Sequence, residues 1–147
     1  LSSGNFGEAR EWGGELGVGM QLDRALRWDA NYTYYGFAIN QAEFYAGDTL
    51  LPNTPRHTAN LSGSWTSPQG ARVRAAWRWE DAHRWHAGVW QGFVPSSGSI
   101  DLNASAPAGE RLTFSLSATD LLDQKRYHMY GGSIVGRRIL IGVSWKR

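Results

Sequence analysis

The chain has 147 residues, 15 Lys and Arg against 13 Asp and Glu, and no Cys. That length fits one ordinary domain or a piece of a larger one; a net charge of +2 gives no basic surface for nucleic acid, and the missing thiols exclude disulfide frameworks and thiolate metal sites. Mean hydropathy is −0.44, and no apolar run nears the roughly 18 residues of a membrane-crossing helix, which still leaves open a crossing by alternating strands. The opening Leu-Ser-Ser-Gly carries neither initiator Met nor signal peptide and reads as a mature product or a fragment.

Helical periodicity is scarce and strict alternation is nearly continuous. In 11–22, Trp12, Gly14, Leu16, Val18, Met20 and Leu22 fall on one face, with Glu11, Glu15 and Gln21 on the other. In 26–38, Leu26, Trp28, Ala30, Tyr32 and Tyr34 oppose Arg27, Asp29, Asn31 and Thr33. Segment 57–66 sets Ala59, Leu61, Gly63 and Trp65 against Thr58, Asn60, Ser62, Ser64 and Thr66. Segment 71–81 sets Val73, Ala75, Trp77 and Trp79 against Arg72, Arg74, Arg78 and Glu80. Segments 99–106, 111–119 and 137–145 repeat the pattern and end with Ile139, Ile141, Val143 and Trp145 on the apolar side. The expected fold is all-β, an antiparallel up-and-down meander of about seven strands.

The connections alternate in length. Residues 23–25, 67–70 and 107–110 are tight turns; 40–56, 82–98 and 120–136 are long links. In a meander this places every short turn at one end and every long loop at the other, as in outer-membrane barrels. The eight Trp residues then have a purpose in a chain that is only 41% hydrophobic. Trp28, Trp65 and Trp145 form a candidate girdle at the short-turn end, and Trp12, Trp77 and Trp79, with Tyr34, form one toward the loops. The alternative is that they are core aromatics of a soluble β-protein.

The opposite faces carry Ser, Thr and Asn in two strands, with Glu15, Arg27, Asp29, Arg72, Arg74 and Arg78 in others. Such groups suit a filled lumen better than the Lys and Glu of an open soluble surface. A seven-strand count is odd, whereas bacterial single-chain barrels are even. The chain therefore lacks a strand near residues 1–10 or belongs to a larger barrel.

Four stretches in order resemble the C-terminal region of TonB-dependent outer-membrane receptors. They are Leu51-Pro52-Asn53-Thr54-Pro55-Arg56-His57; Val94-Pro95-Ser96-Ser97 with Ile100-Asp101-Leu102-Asn103-Ala104; Thr119-Asp120-Leu121-Leu122-Asp123-Gln124-Lys125-Arg126-Tyr127; and Gly136-Arg137-Arg138-Ile139 through Trp145. Asp120 stands where the family usually has Asn, Leu122 where it often has Phe, and Lys146 and Arg147 follow the closing aromatic. The resemblance implies that residues 1–147 are part of a 22-stranded barrel whose plug domain and earlier strands lie outside this chain. It also implies uptake of a metal chelate, foremost a ferric siderophore, powered through TonB, with lipid, lipopolysaccharide, the plug and the TonB complex as partners. The location would be the outer membrane of a Gram-negative bacterium.

In the long links, His83, Arg84, Trp85, His86, Trp90, Tyr127, Tyr130 and Arg137 are candidate ligand contacts, because Arg and aromatics together suit an anionic, partly planar chelate. The alternative for them is loop packing and lipopolysaccharide contact. The spacing of His83 and His86 is no metal-ligand pattern, and no cofactor or catalytic motif is present: there is no Gly-x-Ser-x-Gly elbow, carboxylate pair in an apolar setting or phosphate-binding glycine loop before a helix. Two further readings remain at this point, a complete eight-stranded outer-membrane barrel with a structural or adhesive role and a soluble lipocalin-like binder with its apolar face inward.

Overall fold

A computed structural model of the chain describes residues 8–40, 53–87, 90–127 and 129–146. Alternating segments become strands because period-two patterning puts all apolar side chains of a strand on one side. The strands are β1 (Glu8–Gln21), β2 (Leu26–Asn40), β3 (His57–Thr66), β4 (Arg72–Glu80), β5 (His83–Ala87), β6 (Trp90–Val94), β7 (Ser97–Ala108), β8 (Leu112–Thr119) and β9 (Arg138–Trp145). Seven of them form one antiparallel sheet in the order β1-β2-β3-β4-β7-β8-β9, and β5 and β6 form a separate hairpin. The seven-strand meander is thus as anticipated. The link 82–98 differs: it contains the β5–β6 hairpin, whose apolar residues lie on both faces and so carry no one-sided signature. Residues 8–10 belong to β1; 1–7, and Leu51 and Pro52 of the first family-like stretch, lie outside the described residues.

Register confirms the two faces. Leu26 opposes Trp65, Trp65 opposes Val73, Val73 opposes Ala104, Ala104 opposes Leu116 and Leu116 opposes Ile141. Directly opposed residues point to the same side, so these rows make one apolar face from β1 to β9. Trp12, Trp28, Trp65, Trp77, Trp79 and Trp145 all lie on it. Trp28, Trp65 and Trp145 stand near the short-turn strand ends, while Trp79 stands near the long-link end of β4 and Trp12 further inside β1.

Among the described residues nothing is stacked on the sheet. Among the described residues the only buried hydrophobic side chains are Val94 and Ala118, while Leu16 is 68% exposed and Ile141 80%. A water-soluble domain buries such a face against a second layer. A continuous bare one signals a partner medium or surface. Among the described residues, β1 and β9 each pair on one side only.

Two tryptophans lie flat on glycines. A Cβ on Gly36 would come within 2.3 Å of the Trp12 indole nitrogen, and one on Gly63 within 3.3 Å of the Trp28 ring. Each glycine is the register partner of its tryptophan, so the ring covers backbone that has no side chain of its own. Gly36→Val must expel the Trp12 ring. It is expected to lower stability by about 1–3 kcal/mol, measured as an earlier denaturant midpoint of the intact protein in lipid vesicles, whereas Gly17→Ala, where no atom lies within 4 Å of the new carbon, should shift it little.

Candidate functional site: a polar face and an aromatic rim

The face opposite the apolar one is built from Glu15, Asn31, Asn60, Arg78 and Asp101 on five neighbouring strands. Asn31 donates to Glu15, Asn60 Nδ2 donates to Asn31 Oδ1 at 2.7 Å, and Arg78 donates to Asp101. Arg27 and Asp29 pair at 2.6 Å along β2, Arg74 reaches Ser62 Oγ at 3.5 Å, and Ser117 Oγ donates to Asn103 at 2.8 Å. All six charged residues assigned to this face from alternation lie there: Glu15, Arg27, Asp29, Arg72, Arg74 and Arg78. Asp101 was not singled out from the sequence; its role emerges only from the β4–β7 register.

At the long-link end the faces change character. The β1–β2 ribbon continues past β3, whose last register partner in β2 is Tyr34, through Tyr35–Asn40 against Glu8–Gly13. In that projection the aromatics move to the other side: Tyr35 and Phe37 share the face of Glu11, with ring centroids 6.1 Å apart, and the Arg56 guanidinium lies 4.8 Å from the Phe37 centroid. Arg10 and Glu8 occupy the side that below the rim is apolar, paired at 2.8 Å. An apolar outer side that turns polar while the inner side turns aromatic marks a boundary near Tyr34 and His57. There Tyr32 Oη and His57 Nδ1 are 2.6 Å apart and the Tyr34 ring centroid lies 5.2 Å from the His57 ring. Consecutive Tyr34 and Tyr35 were the available signal for this switch.

The hairpin stands beside this rim and is held from two sides. Asn53, at φ 53°, accepts from the His86 N–H and donates to the His86 carbonyl, both at 2.7 Å, so its amide completes the edge of β5 as a neighbouring strand would. Tyr130 lies over Gly92, where a Cβ would come within 2.0 Å of its ring. Gly92 opposes Trp85, so Tyr130 lies on the side that Trp85 faces. His83, Arg84, Trp85, His86, Trp90 and Tyr130 are thereby gathered at one structure. Within it His83 and His86 point to opposite sides, being three apart on a strand, and Trp90 is 68% exposed. Tyr127 and Arg137 instead belong to the base of the last link, where the Arg137 N–H donates to Asp123 Oδ1 at 2.9 Å and Arg126 bridges to Val135. Among the described residues no group of three His, Cys, Asp or Glu could hold a metal ion.

Under the rim lies a cleft of about 450 Å³ lined by Thr58, Asn60, Arg78, Glu80, Ser97, Ser99 and Arg126. Arg126, part of this lining, makes an ion pair that the sequence did not reveal. Asp120 and Arg126 approach to 3.9 Å with side chains 3% and 12% exposed. The Asp120 carboxylate oxygens and Arg126 Nε have no hydrogen-bond partner among the described residues. Asp120 sits at φ 54°, its N–H donating to Asp101 Oδ1 at 3.0 Å, and Arg126 Nη1 donates to the Gly98 carbonyl at 2.9 Å.

Comparison with known proteins follows this geometry. A family profile described as "TonB dependent receptor-like, beta-barrel" matches residues 1–121. The metal-pseudopaline receptor CntO of Pseudomonas aeruginosa is 26% identical over 125 residues, 82% of this chain and 18% of that receptor. The ferric-catecholate import receptor Fiu of E. coli K12, in a closed crystal form, superposes with a TM-score of 0.75 at 20% identity, covering 95% of this chain and 21% of that one. A chain of the FpvAI–pyocin S2 complex gives 0.71 at 15% identity, covering 95% of this chain and 19% of that one. This chain thus spans about a fifth of the length of the proteins it matches, and membership of their family displaces both the small-barrel and the lipocalin-like alternatives. The chain belongs to the β-barrel family of TonB-dependent receptors, outer-membrane transporters of Gram-negative bacteria and not enzymes.

Proposed function

We propose that this chain is a C-terminal wall segment of a receptor barrel of about 22 strands that takes up a metal chelate, foremost a ferric siderophore, with energy delivered through TonB. One observation carries the reading: a single-layer antiparallel sheet whose apolar face is bare from β1 to β9 while the other face is small, polar and charged. Lipid and lipopolysaccharide solvate the first face, with the six tryptophans at its borders. The second face lines a lumen occupied by the plug domain. Backbone groups in hydrocarbon require partners, so β1 and β9 pair with further strands in the intact barrel.

The chelate meets the rim. His83, Arg84, Trp85, His86, Trp90 and Tyr130 on and around the hairpin, with Tyr127 and Arg137 at the base of the last link, supply cationic and aromatic contacts for an anionic, partly planar ligand. Tyr35, Phe37 and Arg56 join them. The names of relatives that handle metal-pseudopaline and ferric catecholates support a chelate as cargo.

The test is accumulation of radioactive iron, presented as hydroxamate and catecholate complexes, by cells carrying the intact receptor with and without TonB. At least one complex should accumulate only with TonB. Joint Trp85→Ala and Tyr130→Ala substitution should raise the half-saturating concentration about tenfold, the equivalent of ~1.4 kcal/mol. Accumulation that ignores TonB, or no accumulation of any complex, contradicts the proposal.

A further inference from the structure

A two-stranded hairpin is at best marginally stable in water by itself. Among the described residues β5 and β6 pair only with each other, so their placement against the sheet depends on anchors outside the ladder. In an antiparallel ribbon a residue points its N–H and C=O to the same side. Those of His86 point away from β6 and toward Asn53, whose amide meets both at 2.7 Å. The match is selective. A primary amide presents a donor and an acceptor side by side, and Asn, like Gly and Asp, tolerates the left-handed backbone that Asn53 adopts at φ 53°.

Asn53 is itself mounted on the wall. Pro55 fixes its own φ and restricts Thr54 before it, so the chain from Asn53 to Arg56 has little freedom. The Arg56 carbonyl accepts from the Tyr35 N–H at 2.8 Å, and the His57 carbonyl accepts from the Asp81 N–H at 2.9 Å. The Arg56 guanidinium lies over Phe37, whose ring neighbours Tyr35. A short, stiff segment thus ties the Tyr35–Phe37–Arg56 platform to the hairpin that carries Arg84, Trp85 and Trp90. We infer that Asn53 is a positioning residue for ligand capture: its amide sets the hairpin against the platform, so that the two halves of the rim close on one anionic chelate. The inference rests on the transport reading, and it adds the residue that fixes the geometry of the rim. Asn53 acts through His86 rather than by contact with the ligand. A hairpin already held in place has less freedom to lose on binding, and the affinity is higher by that difference.

The experiment uses the intact receptor, in lipid vesicles and in cells. Asn53→Gly removes the amide and leaves the left-handed backbone accessible; Asn53→Asp keeps the acceptor for the His86 N–H and loses the donor. In vesicles without ligand, hydrogen exchange at the His86 amide should quicken roughly tenfold in the Gly variant and stay slow in the Asp variant. In cells, the probe is whichever ferric hydroxamate or catecholate complex the wild type accumulates. Asn53→Gly should raise its half-saturating concentration about tenfold and leave the maximal TonB-dependent rate per assembled receptor unchanged. Asn53→Asp should fall between the two, and Gly17→Ala on β1 should match the wild type. Unheated gel mobility gives the amount of assembled receptor. A Gly variant with the wild-type half-saturating concentration, whether or not its maximal rate falls, overturns the inference and leaves the transport reading intact. So does a His86 amide that exchanges as fast in the wild type as in the Gly variant. No accumulation of any complex by the wild type overturns both.

Discussion

Replacing Ile141 by Arg should abolish or severely reduce assembly of the intact receptor in the outer membrane. Ile141 is 80% exposed in the structure and touches little protein. In water such a side chain tolerates substitution within about 0.5 kcal/mol. In hydrocarbon, a lipid-facing Arg near the bilayer midplane costs about 2–4 kcal/mol, less toward the interface. The neighbouring Ser115, on the other face and opposed to Gly142, makes the control, since Ser115→Gln keeps a polar group where polar groups already stand. The readout is the fraction of receptor that migrates as a compact band on an unheated gel, together with its denaturant midpoint in vesicles. Equal tolerance at both positions would mean that water, not lipid, bathes the apolar face.

A second large effect is expected at the ion pair beneath the rim. Arg126→Ala leaves the nearly buried Asp120 carboxylate with no counter-charge and also removes the donor to the Gly98 carbonyl. Breaking a buried pair from one side costs about 3–5 kcal/mol, chiefly from the abandoned charge. Asp120→Asn removes the charge itself, and among residues with a side chain Asn is well suited to the positive φ at this position. That substitution alone should cost under about 1 kcal/mol, and added to Arg126→Ala it should recover most of the loss. Denaturant midpoints of the four proteins decide the matter. If the double variant is no better than Arg126→Ala, the damage comes from lost packing and the Gly98 bond rather than from an uncompensated carboxylate.

The sheet was legible because β structure writes itself at period two. A slip of one residue would carry Leu61 and Trp65 to the side of Ser62 and Ser64, so the faces specify the register. The short turns were legible from Asp23, Pro68 and Gly109. Three things were not. The β5–β6 hairpin has Trp85 and Trp90 on one side and Phe93 on the other, and without a one-sided pattern it resembles a loop. The reversal above Tyr34 lies inside a segment that reads as one strand to residue 38, and alternation alone does not show that the two faces exchange character there. The Asp120–Arg126 pair depends on a link that folds back against β7, and the five intervening residues give no periodic clue. The rim contacts share this difficulty: Asn53 finds His86, and Tyr130 finds Gly92, across 33 and 38 positions of sequence.

The central claim is that the two faces of this sheet meet different solvents, and nitroxide accessibility tests it most directly. Spin labels at Leu16, Val73 and Ile141 of the intact receptor in bilayers should collide readily with dissolved oxygen and poorly with a hydrophilic nickel chelate. Labels at Ser62, Ser64 and Ser115 should show little oxygen contact. The opposite pattern, with nickel reaching Leu16 and Ile141 freely and oxygen concentrating around Ser62 and Ser115, would contradict the account.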